Sequence, residues 1–169
     1  KDDIFRWLDD NRYCCLDGLC SLGKSYFANK ELREFAAKKG IKTIIVDSLN
    51  IKAESDHNQY GNEFLTGERL RQAKTNKSML LQKILQQDTI ITNQDTFPII
   101  AKYLKESGQR AIVVVDEFHS LVRGFRKRQS KNLFHWIYEV ADYVLMLSGT
   151  PIPYFKSLGF DYIRVTKDR

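Results

Sequence analysis

The chain has 169 residues, a formal net charge of +6 and 43% hydrophobic residues. This length and apolar content suit a single soluble globular domain with one core. No stretch reaches the roughly 18 consecutive apolar residues that a membrane-spanning helix requires, and the charged residues Lys1, Asp2 and Asp3 do not resemble the apolar core of a signal peptide. We therefore expect an intracellular protein, cytoplasmic or nuclear, with no membrane partner.

Strands and helices alternate along the chain. Short runs rich in β-branched residues predict strands over residues 12–17, 43–47, 89–92, 111–116 and 143–147, with a weaker strand over 162–165. Apolar residues at helical spacing predict helices over residues 1–11, 24–39, 68–87, 97–106 and 132–140. This alternation is typical of an α/β domain with a mainly parallel sheet and helices on both faces.

Three segments stand apart from this pattern. Residues 48–67 are rich in Asn, Asp, Glu and Gly, and we expect this long segment to be irregular and partly disordered; its single His57 is too weak a signal for a ligand. Residues 123–131 hold five cations and no acid, which suits either a phosphate backbone or a solvated loop. Cys14, Cys15 and Cys20 have neither disulfide nor zinc spacing, and we expect reduced thiols.

Residues 18–25 match the phosphate-binding pattern G-x-x-x-x-G-K-[ST] between a predicted strand and a predicted helix. In such a loop the backbone N–H groups surround phosphates, the lysine neutralises charge and the final hydroxyl binds Mg²⁺. The helix N-terminus then points at the bound phosphates. The alternative is a chance glycine turn, which this context disfavours. The predicted nucleotide-binding residues are Gly18, Leu19, Cys20, Ser21, Leu22, Gly23, Lys24 and Ser25.

Two acids follow the apolar run 111–115. This run is typical of a central strand that is buried on both faces, and Asp116 and Glu117 come at its carboxyl end, where open α/β sheets bind ligands. An Asp there can hold Mg²⁺, and the next acid can activate the attacking water. The alternative is an exposed acidic turn, which the phosphate loop makes less plausible.

Asp116-Glu117-Phe118-His119 resembles the D-E-x-H box of superfamily 2 helicases and translocases. Residues 92–96, which read T-N-Q-D-T, resemble the T-N-x-D-T segment of translocases, and residues 148–151, which read S-G-T-P, resemble their motif III. With the phosphate loop, these matches extend over residues 18–151 in the order of that family. The resemblance implies a RecA-like P-loop NTPase fold, with residues 1–169 as one ATP-binding domain.

The resemblance also implies roles for individual residues. Lys24 and Ser25 would bind the β- and γ-phosphates of ATP and Mg²⁺, Asp116 would organise Mg²⁺, Glu117 would be the general base, and His119 would relay the nucleotide state. The residues implied to couple hydrolysis to nucleic-acid binding are Ser148, Gly149 and Thr150. Those implied to face the nucleic-acid backbone are Ser48, its neighbour Leu49, Thr92 and Asn93.

The function expected from these observations is that of the first motor domain of an ATP-dependent helicase or translocase. The S-G-T-P and T-N-x-D-T forms favour DNA over RNA as its partner. In this family ATP is hydrolysed between two RecA-like domains, so we expect a second RecA-like domain in the same parent chain, outside these residues. Two alternatives remain: a non-motor P-loop ATPase that switches a protein partner, and a domain whose nucleotide site is only structural.

Overall fold

The computed structural model describes residues 1–18, 23–72, 77–118, 127–149 and 159–165. Its seven strands are all parallel and form one sheet in the order β3-β4-β2-β5-β6-β1-β7. The strands are β1 (Tyr13–Gly18), β2 (Lys42–Asp47), β3 (Glu63–Leu65), β4 (Thr89–Asn93), β5 (Ala111–Val115), β6 (Ala141–Ser148) and β7 (Asp161–Val165). The predicted fold class is confirmed, including the weaker strand, which is β7.

Helices cover the connections between these strands. They are α1 (Asp2–Asp10), α2 (Lys24–Tyr26), a π-helical turn (Phe27–Glu31), α3 (Leu32–Lys39), α4 (Asn50–Tyr60), α5 (Gly67–Gln72), α6 (Lys77–Leu85), α7 (Phe97–Glu106) and α8 (Lys127–Val140). The helix predicted over residues 24–39 is one run of α2, the π turn and α3. The helix predicted over 68–87 covers α5 and α6, and residues 73–76 between them lie outside the described part. None of the described helices has both the length and the apolar character needed to cross a membrane.

The core lies on both faces of the sheet, because successive side chains of a strand point to opposite faces. All five residues of β5 are buried. Val113 and Val115 pack in a cluster with apolar residues of α7 and α8, whereas Ile112 and Val114 pack in a second cluster with residues of α1, the π turn and α3. The continuous apolar pattern of β5 therefore follows from burial on both sides.

The expectation that residues 48–67 are irregular is wrong. This segment forms α4, a cap at Gly61 in the left-handed region, and β3, which extends the sheet by pairing with β4. Ala53 and Leu65 are fully buried. The segment is ordered by tertiary contacts and not by a long apolar stripe, so its polar composition concealed both elements.

Replacing Leu65 by Ala should destabilise the protein by about 2–5 kcal/mol, because the side chain is fully buried and truncation leaves a cavity. A matched control is Ile51→Ala in the same segment, where the side chain is 82% exposed and the change should be within about 0.5 kcal/mol. Urea unfolding followed by circular dichroism measures both. If Leu65→Ala proved as mild as the control, the segment would not be packed as the structure has it.

Candidate functional site

Several predicted site residues meet at one edge of the sheet. Parallel strands bring their carboxyl ends to the same edge, and there β6 lies between β5 and β1. The register pairs Asp17 with Ser148 and Val46 with Val115. Gly18, which ends β1, and Asp116, which follows β5, therefore lie at the same edge of the sheet although they are far apart in sequence.

The two ends of the predicted phosphate loop are in contact. Gly23 has a φ of 77°, in the left-handed region that favours glycine, and its carbonyl accepts the Phe27 N–H at 2.8 Å, which begins the following helix. The Lys24 ammonium donates a hydrogen bond to the Gly18 carbonyl at 2.5 Å. Leu19, Cys20, Ser21 and Leu22, all predicted to bind nucleotide, lie outside the described residues.

A cleft of about 540 Å³ opens beside this loop. It is lined by Gly23, Lys24, Ser25, Tyr26, Lys52, Gln59, Tyr60, Asp116 and Glu117. The structure thus places the described end of the phosphate loop and the acid pair on the same cavity. His119 lies outside the described residues.

The acid pair has an unusual backbone. Glu117 has a φ of 51° and is the one non-glycine residue with positive φ in the described part of the chain. Its N–H donates to Oδ1 of Asp116 at 2.8 Å. A left-handed conformation costs a non-glycine residue roughly 1–2 kcal/mol, and such strain is concentrated at functional sites. The turn directs Glu117 into the cleft while Asp116 is buried beneath it.

The centre of the site is a lysine that the sequence did not reveal. The Lys52 ammonium lies 2.5 Å from Oδ2 of Asp116, 3.0 Å from Oδ2 of Asp56 and 3.7 Å from Oδ1 of Asp47. It also donates to Oγ of Ser25 at 3.3 Å. The three carboxylates offer oxygen atoms that lie within 4.8 Å of one another.

Burial and charge shift the ionisation of this cluster. Burial raises the pKa of Asp47 to about 7, the Lys52 charge opposes that shift, and the charges of Asp116 and Asp56 add to it. Burial by itself lowers the pKa of Lys52, but the charges of Asp116 and Asp47 outweigh it, so the pKa lies above its usual range. Lys52 is therefore a permanent cation at neutral pH.

A buried amide network holds α4 against the helix that follows the phosphate loop. Asn29, in the π turn, donates to the Ser25 carbonyl at 3.0 Å and to Oδ2 of Asp56 at 3.3 Å. The Asn62 amide in turn donates to the Asn29 carbonyl at 3.1 Å and to Oδ1 of Asn29 at 3.0 Å. π-Helical turns occur frequently at functional sites. This one places a polar side chain where it can position Asp56.

Sequence reasoning missed Asp47, Lys52, Asp56 and Asn29. Asp47 was detectable in principle, because it ends a predicted strand whose carboxyl end shares the sheet edge with Asp116. Lys52 and Asp56 have the i, i+4 spacing of an ion pair on a helix. That signal is meaningful only if the helix is known to exist, and α4 was not predicted.

The residues expected to contact nucleic acid lie in different environments. Thr92 is fully buried and its hydroxyl donates to the Leu65 carbonyl at 3.0 Å, so this side chain joins β4 to β3. The Asn93 amide donates to Oδ1 of Asn50 at 2.8 Å beside a second cleft of about 500 Å³. Ser48 is half-buried at the end of β2, next to the exposed Leu49.

The segment predicted for coupling begins at the end of β6. Ser148 is buried between β1 and β5, directly behind the site, and Gly149 follows it. The neighbouring Leu147 carbonyl accepts the Phe118 N–H at 3.3 Å, which ties the end of β6 to the acid turn. Thr150 and Pro151 lie outside the described residues, as do residues 123–126 of the basic region.

Comparison with solved structures gives a consistent architecture. The Pyrococcus furiosus Hef helicase domain superposes with a TM-score of 0.65 over 96% of this chain, at 16% identity, and the bacteriophage T4 UvsW helicase with 0.62 over 91%, at 14% identity. This chain has the RecA-like fold of helicase domains. The Sulfolobus solfataricus SWI2/SNF2 ATPase core, solved with dsDNA, matches at a TM-score of 0.56 and 20% identity over 88% of the chain.

These RecA-like neighbours are longer than this chain. The aligned region covers 31% of the SWI2/SNF2 core, 37% of the Hef domain and 55% of UvsW. The sequence itself matches no family model and no curated protein. The comparisons therefore establish the RecA-like fold, and the chemistry has to be argued from the residues.

The two cysteines of β1 should be inert in the folded protein. Cys14 and Cys15 are 0% and 1% exposed, and burial raises the pKa of each thiol to about 12, so both stay protonated and unreactive at pH 8. In a Cys20→Ala variant, a thiol-reactive disulfide reagent should label neither residue under native conditions and both after denaturation. Rapid native labelling would show that β1 is not buried as described.

Proposed function

We propose that this chain is the ATP-binding motor domain of a nucleic-acid-dependent ATPase of the helicase or translocase type. The observation that carries the proposal is the cleft at the carboxyl edge of the sheet, which combines Lys24, Ser25, Asp116 and Glu117. These are the residue types that phosphate binding and hydrolysis need. The RecA-like fold supports the proposal.

The phosphate loop would bind the β- and γ-phosphates of ATP. Gly23 is the N-cap of the helix that follows the loop, and a helix N-terminus attracts anions. The Lys24 ammonium donates to the Gly18 carbonyl, so it joins the two ends of the loop that the phosphates would enter. A phosphate oxygen would replace that carbonyl as a stronger, charged acceptor.

The residues also fit Mg²⁺. Ser25 and Asp116 offer only oxygen donors, which this hard cation prefers. Both carboxylate oxygens of the buried Asp47 lack a hydrogen-bond partner within the described residues, so they could accept a further cation beside Lys52. The ion, when bound with ATP, would supply charge neutralisation at the phosphates.

Glu117 would act as the general base in hydrolysis. It lines the cleft beside the buried Asp116 and is more exposed than that residue, and its backbone is left-handed. His119, Ser148, Gly149 and Thr150 would relay the nucleotide state to bound nucleic acid. Their support is the D-E-x-H and S-G-T-P resemblance, together with the hydrogen bond that joins the acid turn to the end of β6.

The nucleic acid would bind along the same sheet edge, next to β2 and β4. Ser48 directly follows β2, and Asn93 ends β4. DNA is favoured over RNA by the S-G-T-P and T-N-x-D-T forms and by the dsDNA bound to the SWI2/SNF2 neighbour. A second RecA-like domain in the parent chain would complete the site with an arginine finger, which is typically worth about 10³–10⁵ in turnover.

Lys24→Ala should weaken the affinity for Mg-ATP about 10- to 100-fold, because a charge-assisted hydrogen bond contributes about 1.5–3 kcal/mol. Glu117→Gln should keep that affinity but lower turnover about 10²- to 10⁴-fold, since the amide preserves shape and removes the base. Fluorescent-nucleotide titration and steady-state phosphate release measure the two effects. Circular dichroism of both variants checks the fold.

The pair of variants separates the possible errors. Unchanged affinity and turnover in Lys24→Ala would refute the phosphate loop. Wild-type turnover in Glu117→Gln would place the base elsewhere. Loss of nucleotide affinity in both variants, with intact circular dichroism, would show that the cleft binds nucleotide in another way than the one proposed.

Nucleic acid should stimulate ATP hydrolysis by the complete protein, and double- or single-stranded DNA should do so more than RNA of the same length. Binding should weaken steeply as salt rises, because the contacts are to phosphates. Steady-state ATPase assays over a salt series measure this. If the protein hydrolyses ATP but no nucleic acid changes the rate, the alternative function is favoured, in which the protein is a switch that acts on a protein partner.

A further inference from the structure

A half-buried lysine lies where the proposed function requires a metal ion. The Lys52 ammonium contacts both of the groups assigned to Mg²⁺, namely Oγ of Ser25 at 3.3 Å and Oδ2 of Asp116 at 2.5 Å. A metal ion bound to the same two oxygens would have to occupy the position of that ammonium. Lys52 and the metal ion therefore compete for one set of oxygen atoms.

Two further acids belong to the same cluster. Asp56 accepts from Lys52 at 3.0 Å, and Asp47 faces it at 3.7 Å with a side chain that is 0% exposed. Neither carboxylate oxygen of Asp47 has a hydrogen-bond partner in the part of the chain that the structure describes. A buried carboxylate without a hydrogen bond is costly, and Asp47 offers an oxygen atom that lies within 4.8 Å of the oxygens of the other two acids.

The charges of the cluster do not balance with lysine alone. Among the described residues, the ion pairs of Asp47, Asp56 and Asp116 are all with Lys52. Three carboxylates therefore share one ammonium. Carboxylate oxygens are the ligands that divalent cations prefer, and a divalent cation compensates this set better than a single positive charge.

We propose that Asp47, Asp56 and Asp116 form one divalent-cation site, and that the Lys52 ammonium holds this site while the metal ion is absent. Binding of the ion displaces the ammonium from Ser25 and Asp116. The inference deepens the proposed function and rests on its assignment of Ser25 and Asp116. It adds two residues that would hold the ion, namely Asp47, which ends β2, and Asp56, which lies on α4. It also makes Lys52 a competitor of the metal ion within the protein.

The test is Mn²⁺ binding to the nucleotide-free chain, followed by electron paramagnetic resonance of the free ion. Lys52→Met should raise the Mn²⁺ affinity at least about tenfold, because close charge pairs couple this strongly. Lys30→Met is the matched control: its exposed ammonium donates to the Tyr60 carbonyl, so this change removes a nearby charge outside the cluster and should leave the affinity unchanged. Equal affinities in Lys52→Met and the wild type would overturn the competition.

Asp47→Asn in the otherwise unchanged chain provides a second measurement, which does not depend on the folding of Lys52→Met. It should lower the Mn²⁺ affinity about tenfold, whereas an unchanged affinity would overturn the place of Asp47 in the site. Nucleotide titration of Lys24→Ala keeps the two proposals apart. If Lys24 governs ATP affinity but the Mn²⁺ affinities do not move, this inference fails alone; if the Mn²⁺ affinities move as expected but no ATP binds, the cation site stands and the proposed function fails.

Discussion

The parallel direction of the seven strands is the constraint on which the rest of this molecule depends. Parallel strands have all their carboxyl ends at one edge, so each strand delivers its following residues to the same side. The order β2-β5-β6-β1 then brings Asp47, Asp116, Ser148 and Gly18 together. These residues are far apart in sequence, and only this arrangement of the strands brings them to the same edge. The candidate site is a product of strand direction and order before any side chain is considered.

Charge balance at that edge is the second constraint on the candidate site. Three acids converge there, and burial makes each of them costly unless a cation is present. Lys52 supplies this cation from α4, and its ionised state follows from the carboxylates around it. If the site exchanges a metal ion and a nucleotide as proposed, it needs a way to remain folded when both are absent. The Lys52 ammonium meets this need, because it stabilises the carboxylates and is covalently part of the protein.

The position of Lys52 depends on a segment whose order is not local. The helix α4 has only one buried apolar residue, Ala53, so an isolated peptide of this sequence would gain little from folding. The amides of Asn29 and Asn62 supply what apolar burial does not, since each is buried and hydrogen-bonded. The π turn allows Asn29 to reach both Ser25 and Asp56. The phosphate-loop helix and α4 are therefore one polar unit, which links the loop geometry to the cation cluster.

The sequence by itself determined the α/β class and the parallel sheet, and it predicted the phosphate loop and the acid pair, because these features are written in short, contiguous patterns. Strand β5 is apolar throughout since it is buried on both faces, and the loop of residues 18–25 matches a complete motif. The order of residues 48–67 could not be predicted in this way, since a polar segment is ordered here by partners such as Asn29 and Thr92 that are distant in sequence. Only the tertiary structure decided that Thr92 is buried, that Glu117 is strained, and that Lys52 meets Asp47, Asp56 and Asp116. The physical reason is that burial, charge pairing and strand order are properties of residues brought together by folding, and no local pattern records them.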